Sequence, residues 1–387
     1  MFRSRRTPDD DVFLLMDRAK AGARAKGLPI TDLSIGASDL PPPPEALEAL
    51  KAALDDPSTY GYCLRSATLP FLQAATDWYA RRYQVQLDPQ REALSLIGAQ
   101  EGLVHLLMAV ADPGDGLLMT SVAYPSYFGA ARIAGLEPLF MPLDEQFLPD
   151  LSQVSAAQAK RAKAMLLNYP NNPTAAVATE KFFEQALEFC QQHDLLLIHD
   201  NPYLDQVFAG QAPSPLALPG GRERVVELFS FAKSYHLAGF RLGFALGNAA
   251  AIASLEAVKG ATDFNQYRGI QRMGMAALNL PPERLRQDAQ VWQVRGQAMS
   301  QALKAAGWNV PPPKACMYLW AKLPGGLDDV KFCLDLSANT GVALAPGQGF
   351  GPGGKGYVRI ALVRPEAALR EAAEKIGGFL RQLSLPS

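Results

Sequence analysis

Leu195-Leu196-Leu197-Ile198-His199 is a nearly continuous apolar run with Asp200 directly behind it. A strand with one wet face alternates apolar and polar residues. A run that stays apolar on both parities belongs where both faces are covered, as in a parallel sheet between helical layers. Outward from this run, short apolar segments recur at 93–97, 116–120, 137–141, 164–167, 225–229 and 244–246, each set off by turns or helical stretches. The alternation predicts an α/β sandwich with a mostly parallel central sheet.

Toward the N-terminus, an arm containing Val12-Phe13-Leu14-Leu15-Met16 leads through a short basic helix to a strand at 30–35. Prolines 41 to 44 stop regular structure before helices at 45–54 and 69–83. Beyond Pro281-Pro282 the pattern changes: a long helix at 283–306, strands at 317–322, 342–345 and 357–362, and a closing helix at 366–382 predict a second, smaller α/β domain. The division expected is 1–45 as arm and part of the small domain, 46–280 as the large domain, and 281–387 as the small C-terminal domain.

The composition fits that division. A chain of 387 residues is long for one core, and 48% hydrophobic residues supply material for two. With 37 Lys and Arg against 38 Asp and Glu, the net charge of -1 gives no field that gathers nucleic acid or acidic membrane. Cys63, Cys190, Cys316 and Cys333 are far apart, with no CxxC or Cys/His metal-ligand spacing, and read as reduced thiols. The basic start Met1 to Arg6 runs into Thr7-Pro8-Asp9-Asp10-Asp11, not into the apolar core of a signal peptide, and no run of about 18 apolar residues follows anywhere. A cytoplasmic protein handling small polar substrates is expected, with no nucleic acid or membrane partner.

Candidate chemistry gathers at the strand ends. Asp200 leaves the 195–199 strand at its C-terminal edge, where open α/β sheets place ligands. A carboxylate there can keep a pyridine nitrogen protonated, so that the ring accepts electrons from a carbanion on an attached imine. Lys233 follows the next apolar strand, in Ser230-Phe231-Ala232-Lys233-Ser234-Tyr235-His236-Leu237-Ala238-Gly239-Phe240-Arg241, and its amine can hold an aldehyde as a Schiff base. Ser230 and Arg241 can grip a phosphate, as can the backbone N–H groups of the strand-to-helix turn Gly98-Ala99-Gln100. Tyr124 can stack on a ring. In Asn168-Tyr169-Pro170-Asn171-Asn172-Pro173-Thr174, the Asn172 amide can bond both a phenolic oxygen and a substrate carboxylate, and Tyr203 can reach the same phenolic oxygen. Taken singly, Asp200 and Ser230 also suit caps, Arg241 a solvent-facing pair and Tyr124 plain packing. Their order along the chain is what points to one site.

Asn172-Pro173-Thr174, Asp200 to Tyr203, and Ser230 to Lys233 through Gly239-Phe240-Arg241 together resemble the class I/II aminotransferases of fold type I, which use pyridoxal 5'-phosphate (PLP); the resemblance spans roughly residues 12–380. It implies a large domain with a mostly parallel seven-stranded sheet plus a smaller α/β domain. It makes Lys233 the residue that carries the cofactor and moves protons, Asp200 the partner of the ring nitrogen, and Asn172 and Tyr203 those of the phenolic oxygen. Tyr124 becomes the stacking ring, and Ala99, Gln100, Ser230 and Arg241 the phosphate cradle. A homodimer with shared sites is also implied, Tyr60 reaching the neighbouring subunit's phosphate. The late segment Pro346-Gly347-Gln348-Gly349-Phe350-Gly351 to Gly356-Tyr357-Val358-Arg359-Ile360-Ala361 resembles the family's small-domain loop, making Arg359 the substrate-carboxylate residue, with Gly36 backbone beside the same carboxylate.

The chain departs from the family pattern at Ala175, Ala232, Arg65 and Leu69-Pro70. Arg65 either adds a carboxylate-binding charge across the dimer or faces solvent. The stretches 32–41 and 58–62 resemble LL-diaminopimelate aminotransferase-like enzymes. The activity implied is transamination of an L-amino acid with a 2-oxo acid such as 2-oxoglutarate. Alternatives are an aspartate, alanine or aromatic aminotransferase, a PLP-dependent carbon-sulfur lyase and a noncatalytic PLP-binding protein. A nucleotide-binding module is suggested only by Gly349 to Gly356, which lacks the Ser or Thr that follows Gly-Lys in a P-loop.

Overall fold

A computed structural model describes residues 12–384. The reading of the opening basic run, and the outer ends of the first and last domain segments, lie outside the described residues. Twelve strands are found among those described: β1 (Thr31–Asp32), β2 (Ala93–Leu96), β3 (Gly116–Thr120), β4 (Glu137–Met141), β5 (Ala162–Leu167), β6 (Leu196–Asp200), β7 (Val225–Ser230), β8 (Gly243–Gly247), β9 (Tyr318–Lys322), β10 (Val342–Ala343), β11 (Ala345–Pro346) and β12 (Tyr357–Ala361).

Seven strands form the large sheet in the order β2-β8-β7-β6-β5-β3-β4. Neighbours from β7 through β4 pair in parallel, and β8 runs antiparallel to both β2 and β7. The reversal has a local cause. The segment between β7 and β8 holds only a one-turn helix, Phe231–Ser234, and a 3-10 turn, Ala238–Phe240, too little for the crossover that a parallel return needs. The chain therefore folds back along the edge it has just left, and Lys233 and Arg241 stay there.

β6 shows why its sequence is apolar on both parities. Leu197 joins one core with Phe183, Leu187 and Phe229, while Ile198 joins the core on the opposite face with Leu103, Leu106 and Ile252. His199 points into the first of these with no exposure, and its Nδ1 meets Glu227 Oε1 at 2.6 Å on the adjacent strand. Such a pair is tolerated because Glu227 is also bonded by Tyr79 and Ser214.

The smaller layer is built from the antiparallel sheet β11-β12-β9 and the parallel pair β1-β10. Its core gathers Leu33, Met299, Phe332, Leu336, Ile360 and Ile376. Three local expectations change. Residues 12–16 are not an extended arm but the first turns of one helix, Val12–Ala25, with Met16 in this core. The 342–345 segment is two strands, because the chain turns at Leu344 from pairing with β1 to pairing with β12. The helix read from 69 begins at Arg65 and carries Pro70 inside. Pro70 removes only a bond to the carbonyl of Ser66, an exposed residue in the first turn. Among the described residues no helix is long and apolar enough to cross a membrane.

Candidate active site

The C-terminal ends of β2, β3, β5, β6 and β7 open onto one edge, and a cavity of ≈ 420 Å³ lies between that edge and the smaller layer. Gly36, Ala99, Gln100, Tyr124, Asn172, Asp200, Tyr203, Ser230, Lys233, Arg241 and Arg359 all line it. Residues from near both ends of the chain are thus brought around one space, as the edge rule for α/β sheets leads one to expect.

Asp200 ends β6. Tyr127, on the first turn of the helix Pro125–Ala134, donates its hydroxyl to Asp200 Oδ2 at 2.6 Å, while the buried Oδ1 has no partner. Burial pushes the Asp200 carboxyl up to about 6, opposed by the Tyr127 bond and by His199 and Lys233. An orphaned buried carboxylate oxygen is costly unless a donor arrives, which gives this atom a strong demand for an N–H.

Lys233 sits on the one-turn helix behind β7, and its Nζ donates to the Gly36 carbonyl. Gly36 belongs to the strap that connects β1 to the helix Pro44–Leu54. No larger residue fits there, since a Cβ would lie 2.1 Å from the Tyr318 hydroxyl.

The phosphate-type turn is equally tight. Gly98 adopts φ 86° as N-cap of the helix Ala99–Val110, and a Cβ there would lie 2.7 Å from Arg241 Nη2. The 12-residue helix presents its first N–H groups beside a guanidinium. Arg241, itself at φ 54°, is steadied by donating through Nη1 to the Ala238 carbonyl at 3.0 Å. Ser230 Oγ accepts from the Ala232 N–H at 3.2 Å, so it caps its short helix and still lines the cavity.

Arg359, in the middle of β12, is only 4% exposed. Nη1 donates to Asn172 Oδ1 at 2.8 Å and Nη2 to the Ser34 carbonyl at 2.7 Å. The guanidinium carbon lies 4.5 Å from the Tyr318 ring centroid and 4.7 Å from that of Phe350. Such a sandwich leaves the planar fork able to turn its remaining hydrogens only toward the cavity. The Tyr203 hydroxyl is 3.0 Å from that of Tyr318; burial, then the neighbouring Tyr318, drives its ionisation far up, so it stands as a neutral phenol.

Two residues singled out in the sequence stand outside. Tyr60 is 62% exposed and borders a separate shallow pocket with Tyr62, Cys63 and Tyr267. Arg65 takes up neither role considered for it: its guanidinium donates to the Ala93 and Gln90 carbonyls and pairs with Glu256 at 3.2 Å, all within its own chain. Ala175 occupies its glycine-favouring position at φ 58°. The segment Gly349 to Gly356 forms 3-10 turns between β11 and β12, not a strand-to-helix phosphate loop. Tyr127, Tyr318 and Ser34 also line the cavity and escaped the sequence reading. Tyr127 was within reach, lying one helical turn beyond Tyr124; Tyr318 and Ser34 carry no local signal. The one described trio with metal-ligand spacing, Glu101, His105 and Asp263, is remote from the cavity and has the Lys259 ammonium bonded to Glu101 and Asp263.

A primary amine, an orphaned carboxylate oxygen, a helix N-terminus with an arginine, and an aromatic side chain together fit a phosphorylated pyridine aldehyde. The comparisons agree. The family profile for aminotransferase class I and II matches residues 29–376. LL-diaminopimelate aminotransferases of Moorella thermoacetica and Syntrophobacter fumaroxidans are 39% and 40% identical over 368 residues, covering 94% of this chain in each case and 94% and 95% of theirs. A crystallised probable N-succinyldiaminopimelate aminotransferase from Thermus thermophilus is 60% identical with a TM-score of 0.93, covering 95% of this chain and 99% of that one.

Proposed function

The chain belongs to the class I and II aminotransferases, PLP-dependent enzymes that exchange an amino group between an amino acid and a 2-oxo acid, and from that premise we propose that its donor is an amino acid of the diaminopimelate series. What supports this reading is that curated relatives and the 60%-identical structure carry names built on the same skeleton, one free and one N-succinylated. A feature of the cavity favours the acylated form. Among the described residues, Asp200 is the only acidic one lining it, and its free oxygen is committed to the cofactor. A distal ammonium therefore finds no carboxylate among them, whereas an acylated amine needs none.

The cofactor, when bound, withdraws electrons from the bond broken at the substrate α-carbon. The chain's own residues do the rest. Asp200 Oδ1 accepts the ring N–H, and Tyr127 holds the carboxylate in place. Ala99, Gln100, Ser230 and Arg241 cradle the phosphate. Tyr124 stacks on the ring, while Asn172 and Tyr203 face the phenolic oxygen. Lys233 tethers the aldehyde, is released by the incoming amine, and then carries a proton to and from the α-carbon. Arg359 grips the α-carboxylate beside the Gly36 backbone, which orients the bond to be broken. A homodimer completes the cradle with Tyr60 of the second copy.

The test is the cofactor absorbance change when holoenzyme meets single amino acids without an acceptor. We expect fast conversion by N-succinyl-LL-diaminopimelate, slower conversion by LL-diaminopimelate, and little by aspartate, alanine or phenylalanine. Rapid conversion by one of the last three, with neither diaminopimelate form reacting, would overturn the proposed donor while leaving the reaction type intact.

A further inference from the structure

Ser38, His236 and Asp288 form a connected chain of polar contacts that no role above uses. Ser38 lies on the strap two residues past Gly36, His236 three residues past Lys233, and Asp288 on the long helix Pro282–Ala305. The Leu40 N–H donates to Ser38 Oγ at 3.2 Å, leaving the hydroxyl proton for His236 Nδ1 at 2.8 Å. The other ring nitrogen is then an N–H, and it faces Asp288 Oδ2 at 3.3 Å, with Arg284 Nε 3.6 Å from the same oxygen. The imidazole is almost wholly buried, and its backbone holds φ 57°, a conformation histidine seldom adopts.

The position of this chain gives it a purpose. The strap sends two carbonyls into the site, Ser34 to Arg359 and Gly36 to Lys233. Its next residue, Asp39, is gripped by Arg295 of the long helix at 2.6 and 2.9 Å. That bridge fixes the strap to the helix alone. His236 links the strap to the turn bearing Lys233, and the turn to the helix.

We propose that His236 is a positioning residue: it clasps strap, lysine turn and long helix together, so that the carboxylate-binding end of the site at Arg359 and Gly36 keeps a fixed spacing from Lys233. The role requires only the amino-group exchange shown by the family, not a particular donor. Loosening the clasp loosens the docking of the substrate carboxylate before it affects the chemistry, and the signature is a rise in KM with little change in kcat.

The test uses holoenzymes of wild type, Ser38→Ala, His236→Gly, His236→Asn and the Ser38→Ala/His236→Gly double variant, with the best donor of wild type. Glycine and asparagine both accept a positive φ, and the asparagine amide oxygen can replace Nδ1 as acceptor for Ser38. Ser38→Ala and His236→Gly are each expected to raise KM about tenfold, with kcat within about twofold, and to speed hydrogen exchange at amides 34–40 about tenfold. The double variant should be no worse than either single one, and His236→Asn should recover most of the loss. Effects that multiply in the double variant, wild-type KM and exchange in Ser38→Ala, or a fall in kcat and thermal stability without a KM change would each refute the clasp. The exchange readout stands even if the donor assignment fails.

Discussion

Asp200 is held in a state the fold by itself disfavours. One oxygen is bonded by Tyr127 and the other is buried without a partner, so burial lifts its carboxyl to about 6. A folded value above the ordinary one means the folded protein binds this proton more readily than the unfolded chain. Stability from this group is thus fullest below about pH 4 and declines as the pH rises through about 6. In cofactor-free protein, Asp200→Asn is expected to gain about 3 kcal/mol at pH 8, with the gain shrinking toward pH 4, as read by urea unfolding at each pH. The same change should remove nearly all transamination. Equal stability of the two proteins at pH 8 would show that the carboxylate is not strained. This residue was legible in the sequence because a carboxylate ending an apolar strand is a local pattern. Its partner Tyr127 was not, since a tyrosine on an amphipathic helix reads as packing until the fold brings β6 beside it.

Turns, more than the strands they join, decide what the cavity can hold. Gly98 combines φ 86° with the close approach of Arg241, so both backbone and space exclude a side chain. Gly98→Ala is expected to weaken PLP binding about 10- to 100-fold, measured by cofactor titration, because the methyl strains the turn and displaces the guanidinium. Unchanged affinity would mean that Arg241 is free to move without loss. At this scale the strands were largely readable, since 116–120 and 137–141 fall at the observed bounds and the apolar run at 195–199 lies within one residue of β6. The split at Leu344 was not, because each half is apolar and only the partner strand differs. Arg65 is the corresponding miss at a helix start. Its carbonyl partners at Gln90 and Ala93 are fixed by packing, and no spacing in the chain announces them.

Across the whole molecule, Tyr60 is the residue that a single chain leaves unused. It sits exposed with Tyr62, Leu64 and Phe264, outside the cavity that holds the other expected contacts. If two copies share their sites, an equal mixture of Lys233→Ala and Tyr60→Phe proteins, unfolded and refolded together, pairs one defect of each kind. Random pairing then makes about a quarter of all sites intact, and activity should return to about a quarter of wild type. Mixing that adds nothing to the separate activities would count against a shared site. The sequence by itself determined the layered α/β architecture, the cofactor chemistry and most of the residues for it, because strand periodicity and the residues at strand ends are local properties of the chain. Only the tertiary structure decided that Arg359 is clamped between two rings, that Tyr203 meets Tyr318, and that His236 joins three separate segments. Those contacts depend on how the smaller layer closes over the sheet edge, and residues hundreds of positions apart carry no local record of which neighbour they will meet.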